Sequence, residues 1–132
     1  MGLVIKDGFV LGYSGDVPEQ LVIENVKAVG RGAFKRCKNI RSLIVKGPCI
    51  LYDKAFKGCH KLRKVELVDV QGIGAECFCD CGKLKEVSLG EQVSWIGEQA
   101  FFGCTSLKSV KIPYSMCNVP LGVFLKGCRL HR

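Results

Sequence analysis

An α/β solenoid, one short coil written repeatedly and stacked, is the fold this chain predicts, and three observations predict it. The first is a column of phenylalanines at Phe34, Phe56, Phe78, Phe101 and Phe124, in steps of 22, 22, 23 and 23 residues. The second is the cysteine after each, at Cys37, Cys59, Cys81 and Cys104 three residues on and at Cys128 four residues on. The third is what comes next: Ile40, Leu62, Leu84, Leu107 and the out-of-step Leu130, then the pairs Leu43/Val45, Val65/Leu67, Val87/Leu89 and Val110/Ile112.

A period of 22 to 23 residues carrying L-x-x-V-x-I lies in the range of leucine-rich solenoids. A single such coil cannot bury its own apolar side, so the core comes from stacking. Taken in order, Leu3–Ile5 and Phe9–Leu11 flank Asp7-Gly8, a strong hairpin signal. Residues 1–20 then form an N-terminal capping hairpin, closed off by Pro18, which shields the first coil's apolar end and strand edge. Residues 21–130 form about five repeats, and the whole of 1–132 forms a single domain. Leu21 and Ile23 precede Leu43 and Val45 by 22 residues and open the repeat sheet.

Within each coil the V-x-I triplet has the period of a half-buried strand. A second apolar pair follows at Val26/Val29, Val70/Ile73, Val93/Ile96 and Met116/Val119, with Pro48 interrupting the second coil and leaving only Leu51 there. Gly30, Gly74 and Gly97 suit a tight bend, and Ala33, Ala55, Cys77 and Ala100 supply small side chains where a short helical turn packs on its neighbour. The fifth copy decays: Pro120 replaces the glycine, an extra residue precedes Cys128, and no strand is expected after Leu130. An uncapped last coil of this kind predicts self-association.

Nine cysteines are an odd number, and five belong to the repeat column, so they read as free, buried fillers. Free thiols and a start without a basic, apolar leader favour the cytoplasm; a removed signal would place the chain at the cell surface or outside. No run of about 18 apolar residues is present, so no membrane span is expected.

Four candidate sites compete. Outward sheet positions alternate with the buried ones, as Gln20, Val22, Glu24; Ser42, Ile44, Lys46; Lys64, Glu66, Val68; Glu86, Ser88, Gly90; and Ser109, Lys111, Pro113. From these, Val22, Ser42, Ile44, Lys64, Glu66, Glu86, Ser88, Ser109 and Lys111 are the candidate partner-binding residues, because the fold does not dictate them. Lys64 beside Glu86 also reads as an ordinary cross-strand pair.

Charge is the second candidate. The net charge is +8, and residues 1–64 carry 13 Lys or Arg against 5 Asp or Glu, while residues 65–132 carry 7 against 7. Arg41, Arg63, Lys85 and Lys108 form one column, flanked by Lys61 and Lys83, an alternative site for a nucleic acid or sulfated glycan. No aromatic platform accompanies these cations, which makes nucleic acid the lesser reading.

Third, Cys77-Phe78-Cys79-Asp80-Cys81 alternates by one residue, the wrong spacing for a zinc site, so no metal or cofactor is expected. Cys79, surplus to the columns, reads as exposed, as do Cys49 and Cys117. Fourth, two histidines, His60 and His131, make no nucleophile-and-base set, so no enzyme and no catalytic residue is expected. Trp95 is the one large aromatic outside the interior columns, lying over the convex side or anchoring a partner.

The word G-x-x-A-F-x-G-C-x-x-L-x-x-V-x-I-P at Gly97–Pro113 resembles the repeat of the BspA-like leucine-rich repeat proteins, and the opening IKDGFVLGYSGDVPEQLVI is similar to their capping segment. The resemblance covers about residues 3 to 130. It implies a right-handed curved solenoid with its parallel sheet on the concave side and short helical turns and extended segments on the convex side. It also implies a bacterial or protist setting, often a cell surface and adhesion or host-protein binding, with no catalytic motif. The expected function is therefore non-catalytic protein recognition through the concave sheet face.

Overall fold

The computed structural model describes residues 2–132. Strands β1 (Gly2–Lys6) and β2 (Phe9–Ser14) form an antiparallel hairpin around Asp7-Gly8, both at positive φ, 52° and 84°. The chain then winds through β3 (Gln20–Ile23), β4 (Ala28–Val29), β5 (Ser42–Leu51), β6 (Lys64–Ile73), β7 (Glu86–Ser88), β8 (Trp95–Ile96), β9 (Ser109–Lys111) and β10 (Arg129–His131). Every pairing after the hairpin is parallel and joins strands of successive turns, as stacking requires.

Two ladders result. One face carries β3, β5, β6 and β7, with Leu21, Leu43, Val65 and Val87 in register. The adjoining side carries β2, β4, β5, β6 and β8, aligning Val10, Val29, Leu51, Ile73 and Ile96. The ten-residue strands β5 and β6 belong to both. The capping hairpin completes the second ladder, because Val10 pairs with Val29.

The third side holds the Ala-Phe turns, and there is no helix among the described residues. The short helical turns expected there are replaced by reverse turns, for a backbone reason. Left-handed residues stand two before and two after the phenylalanine in successive coils: Gly32 and Arg36, Lys54 and Gly58, Glu76 and Asp80, Gln99 and Gly103, with φ between 55° and 82°. A left-handed residue every four positions stops any right-handed helix. The amides turn to the next coil instead: Phe34 N–H donates to the Ala55 carbonyl at 2.7 Å and Arg36 N–H to Lys57 at 2.7 Å.

Inside, the phenylalanines superpose. Consecutive rings from Phe34 to Phe124 lie 5.3, 5.3, 5.2 and 5.1 Å apart, with planes within 11° of parallel. The cysteine column has a hydrogen-bonding task that a small apolar filler would not perform. Cys59 Sγ–H donates to the Phe34 carbonyl at 3.3 Å, Cys81 to Phe56 at 3.3 Å, and Cys104 to Phe78 at 3.2 Å. Each thiol adds a second bond to a carbonyl of the previous coil that already accepts a backbone N–H within its own turn, from Cys37, Cys59 and Cys81 respectively.

Other expectations change here. Gly74 and Gly97 do not sit at positive φ; a Cβ on Gly97 would meet the Ala75 amide nitrogen at 2.4 Å, and one on Gly74 the Asp53 nitrogen at 2.5 Å. Each does open a reverse turn, its carbonyl accepting from Cys77 or Ala100 N–H at 3.3 Å, but close approach of neighbouring coils, not positive φ, selects glycine there. Further corners, at positive φ, are at Asn25, Asp69 and Gly90, with φ of 61°, 61° and 74°. Cys49 and Cys79 are buried rather than exposed, and Cys49 fills the column that Pro48 interrupts, by a register shift between Lys46 and Ile50. Pro113 is also buried, while Cys117 is exposed. Leu130 lies within β10, in register with Val110, so the face has six strands where about five repeats were expected.

Candidate functional site

The fold displays one broad surface whose side chains packing does not choose: the outward positions of β3, β5, β6, β7, β9 and β10. Three rows cross it in the direction of stacking. The upper row runs Gln20, Ser42, Lys64, Glu86, with Ser109 and Arg129 at the equivalent places of β9 and β10. The central row runs Val22, Ile44, Glu66, Ser88, followed by Lys111 and His131. The third row includes Glu24, Lys46, Val68 and Gly90, and Lys46 lies 3.9 Å from Glu24.

All nine predicted partner-binding residues stand on this face: Val22, Lys64, Glu86, Ser88, Ser109 and Lys111 exposed, and Ser42, Ile44 and Glu66 half-buried. A shallow depression of about 530 Å³ brings Lys64, Glu66, Glu86, Ser88, Ser109 and Lys111 together with Lys85 and His131. A second, of about 300 Å³, continues from Ser88 to Pro113. His131 and Arg129 were missed by the sequence reading because Leu130 falls out of step. The alternation Arg129-Leu130-His131 repeats Ser109-Val110-Lys111 and was the available signal.

The charge pairing differs from expectation. Lys64 and Glu86 are register neighbours but form no ion pair. Among the described residues the pairs are Arg41–Glu19 at 3.3 Å, Lys46–Glu24, and Lys57–Glu76 on the turn side. Hydrogen bonding to Lys57 holds the Glu76 carboxyl below its usual range and raises the Lys57 ammonium. Lys64, Glu66, Glu86 and Lys111 therefore have no ion-pair partner among the described residues.

The basic column stacks through its backbone, with Arg63 N–H donating to the Arg41 carbonyl at 2.7 Å and Lys85 N–H to Arg63 at 2.9 Å. Both ends are occupied: Arg41 by Glu19, and Lys108, whose Nζ donates to the Thr105 carbonyl at 3.1 Å. Arg63, Lys85, Lys61 and Lys83 remain exposed and form no ion pair among the described residues.

The thiols are electrically quiet. Burial pushes Cys49 up to about 11 and both Cys59 and Cys104 up to about 12, and raises Cys77, Cys79, Cys81 and Cys128 as well. A raised thiol is a poor nucleophile and a poor metal ligand. Among the described residues no group of three His, Cys, Asp or Glu converges to hold a metal, and no helix is long and apolar enough to cross a membrane. Trp95 lies across Gly72, its indole occupying the place a Cβ would take, and is 44% exposed. What the face can do chemically is bind, by shape, apolar contact and charge.

A family model described as BspA type Leucine rich repeat region matches residues 27–132 in six copies. No curated protein matches the chain. Solved structures do. A leucine-rich repeat protein from Bacteroides ovatus is 31% identical over 72% of this chain, with a TM-score of 0.65. A leucine rich cell surface protein from Faecalibacterium prausnitzii is 22% identical over 97%, with a TM-score of 0.81. The leucine rich repeat protein of T. pallidum is 26% identical over 80%, with a TM-score of 0.55. The chain spans 25%, 40% and 63% of those three proteins respectively.

Proposed function

The chain belongs to the BspA-type leucine-rich repeat family, and from that premise we propose that it is a non-catalytic recognition module that binds a protein partner through the outward face of β3, β5, β6, β7, β9 and β10. The observation that carries this reading is the set of charges at Lys64, Glu66, Glu86 and Lys111, which lie on an open face and have no ion-pair partner among the described residues. Charges that stabilise nothing in the fold are free to be spent on recognition. Leucine-rich analogy adds that the continuous face of a solenoid is its usual contact surface. The Faecalibacterium protein's description as a cell surface protein is in keeping with a surface setting.

The test is capture from source-cell extract by the wild-type chain and by Ile44→Asp/Glu66→Lys/Lys111→Glu, with Tyr52→Ser on the adjoining side as control. Loss of the captured protein with the triple variant and its retention with Tyr52→Ser is the expected result. Equal capture by all three would end the reading.

Self-association through the last coil stands on its apolar end, where Leu121 is 98% exposed and Leu130 and the half-buried Phe124 line an open depression. Light scattering should report dimers that Leu121→Asp returns to monomers, and a monomer at every concentration would remove this contact.

A further inference from the structure

Along the direction of stacking the recognition face is not uniform; its chemistry changes in order. The central row begins with two aliphatics, Val22 at 43% exposure and the half-buried Ile44. It then has Glu66, the small Ser88, and last Lys111 with His131. The flanking rows do not obscure this order. Lys64 and Glu86 in the upper row offset each other in net charge, and Glu24 and Lys46 in the third row are paired. Arg129, in register with Ser109, reinforces the positive end. An apolar, then acidic, then basic sequence of patches therefore runs through the middle of the face.

We propose, on the reading above that this face binds protein, that its occupant is an extended peptide segment lying along the solenoid axis. The segment presents an apolar, a basic and an acidic side chain in that order, to Val22/Ile44, Glu66 and Lys111. Successive coils are about 4.8 Å apart, so the apolar patch lies roughly 7 Å from Glu66, and Glu66 roughly 10 Å from Lys111. At about 3.3 Å per residue those gaps correspond to about two and three residues of extended chain. Complementary charge fixes register and rejects the swapped order, because like charges then face each other at both places. The aliphatic pair supplies contact that salt does not screen.

Two acetylated peptides of equal composition in a Gly-Ser background test this directly. One carries Leu, Lys and Glu at those spacings and its twin carries Leu, Glu and Lys; both are made in both chain directions. Titration is followed by NMR on the Val22 and Ile44 methyls and the Glu66 and Lys111 amides. In at least one direction the Leu-Lys-Glu order should bind about tenfold tighter at low ionic strength, from two exposed pairs made instead of two repulsions. That preference should fade near 1 M salt. Glu66→Lys/Lys111→Glu, at positions the fold does not use, should invert it. Equal affinities, the opposite preference, or no binding by either peptide overturns the proposed order. None of those outcomes bears on the face as a protein site, which the capture experiment judges separately.

Discussion

The early and late coils of this molecule are built from the same columns and yet differ in kind. Between Phe34 and Phe78 the period is 22 residues, and β5 and β6 run ten residues each, so one strand serves both ladders. Beyond Phe78 the period is 23, the strands of the face shrink to three residues, and β9 and β10 form a separate two-stranded sheet. The extra residue lies at the corner, where four steps separate Leu89 from Val93 but only three separate Leu67 from Val70. One residue more at the bend thus accompanies the split of one long strand into β7 and β8, both paired with β6, while the phenylalanine spine continues unbroken at 5.1 to 5.3 Å. Strand length on one side and side-chain stacking on another are therefore separable, and backbone bonds between the late coils persist, as from Phe101 N–H to the Val123 carbonyl at 2.9 Å.

The largest test of that contrast is alkaline. Burial raises Cys59 and Cys104 from an ordinary 9.0 to about 12 and Cys49 to about 11, while Cys128 at the open end is only half-buried. With native thiols titrating later, the folded chain holds more protons than the unfolded one between about pH 9 and 12. Stability is complete below pH 9 and is lost as pH rises through that window. Circular dichroism should show cooperative unfolding before pH 12, shifted upward in Cys59→Ala but barely moved by Cys128→Ala; an equal shift in both would erase the distinction between interior and end.

Next in size is the spine. Phe78 lies fully buried between two rings, and Phe78→Ala should cost about 3 to 5 kcal/mol, read as a fall in urea midpoint at constant slope. Phe124 stacks on one ring only, so Phe124→Ala should cost roughly half as much. Equal losses would show that position along the stack does not matter.

Smaller again is the corner. Gly90 has φ of 74°, and a Cβ there would stand 2.6 Å from the Leu67 carbonyl oxygen, so Gly90→Ala should lose about 1 to 2 kcal/mol from the left-handed strain alone. Asp69→Gly, at the corresponding corner of the preceding coil, should be close to neutral because Asp already tolerates that region. Smallest of all, Glu66→Gln and Lys111→Gln should change stability by no more than about 0.5 kcal/mol, since neither charge has an ion-pair partner among the described residues. A larger loss would mean that the face serves the fold after all.

Much of the architecture was legible because repeats turn one local signal into five. Asp7-Gly8 marked the hairpin, Leu21 and Ile23 marked the first strand, and the phenylalanine interval marked the axis. The turns were misread as helical because spacing alone does not reveal that Arg36, Lys54, Glu76 and Gln99 adopt positive φ, residues whose types give no warning. Cys79 was misplaced because it is surplus to the columns and stands where the earlier coils have Lys35 and Lys57, yet the structure buries it. The outward face could be listed residue by residue from its period of two. Which of those charges remain unpaired could not, because pairing depends on distances of a few ångströms between coils.

By itself the sequence determined the winding, its axis and its buried columns, since apolar residues recurring once per coil can be buried only by superposition. Tertiary structure alone decided how the backbone satisfies itself between coils, where the ladder stops, and which charges are left to face outward. Those outcomes follow from approach distances and hydrogen-bond partners belonging to neighbouring turns, which no single stretch of chain contains.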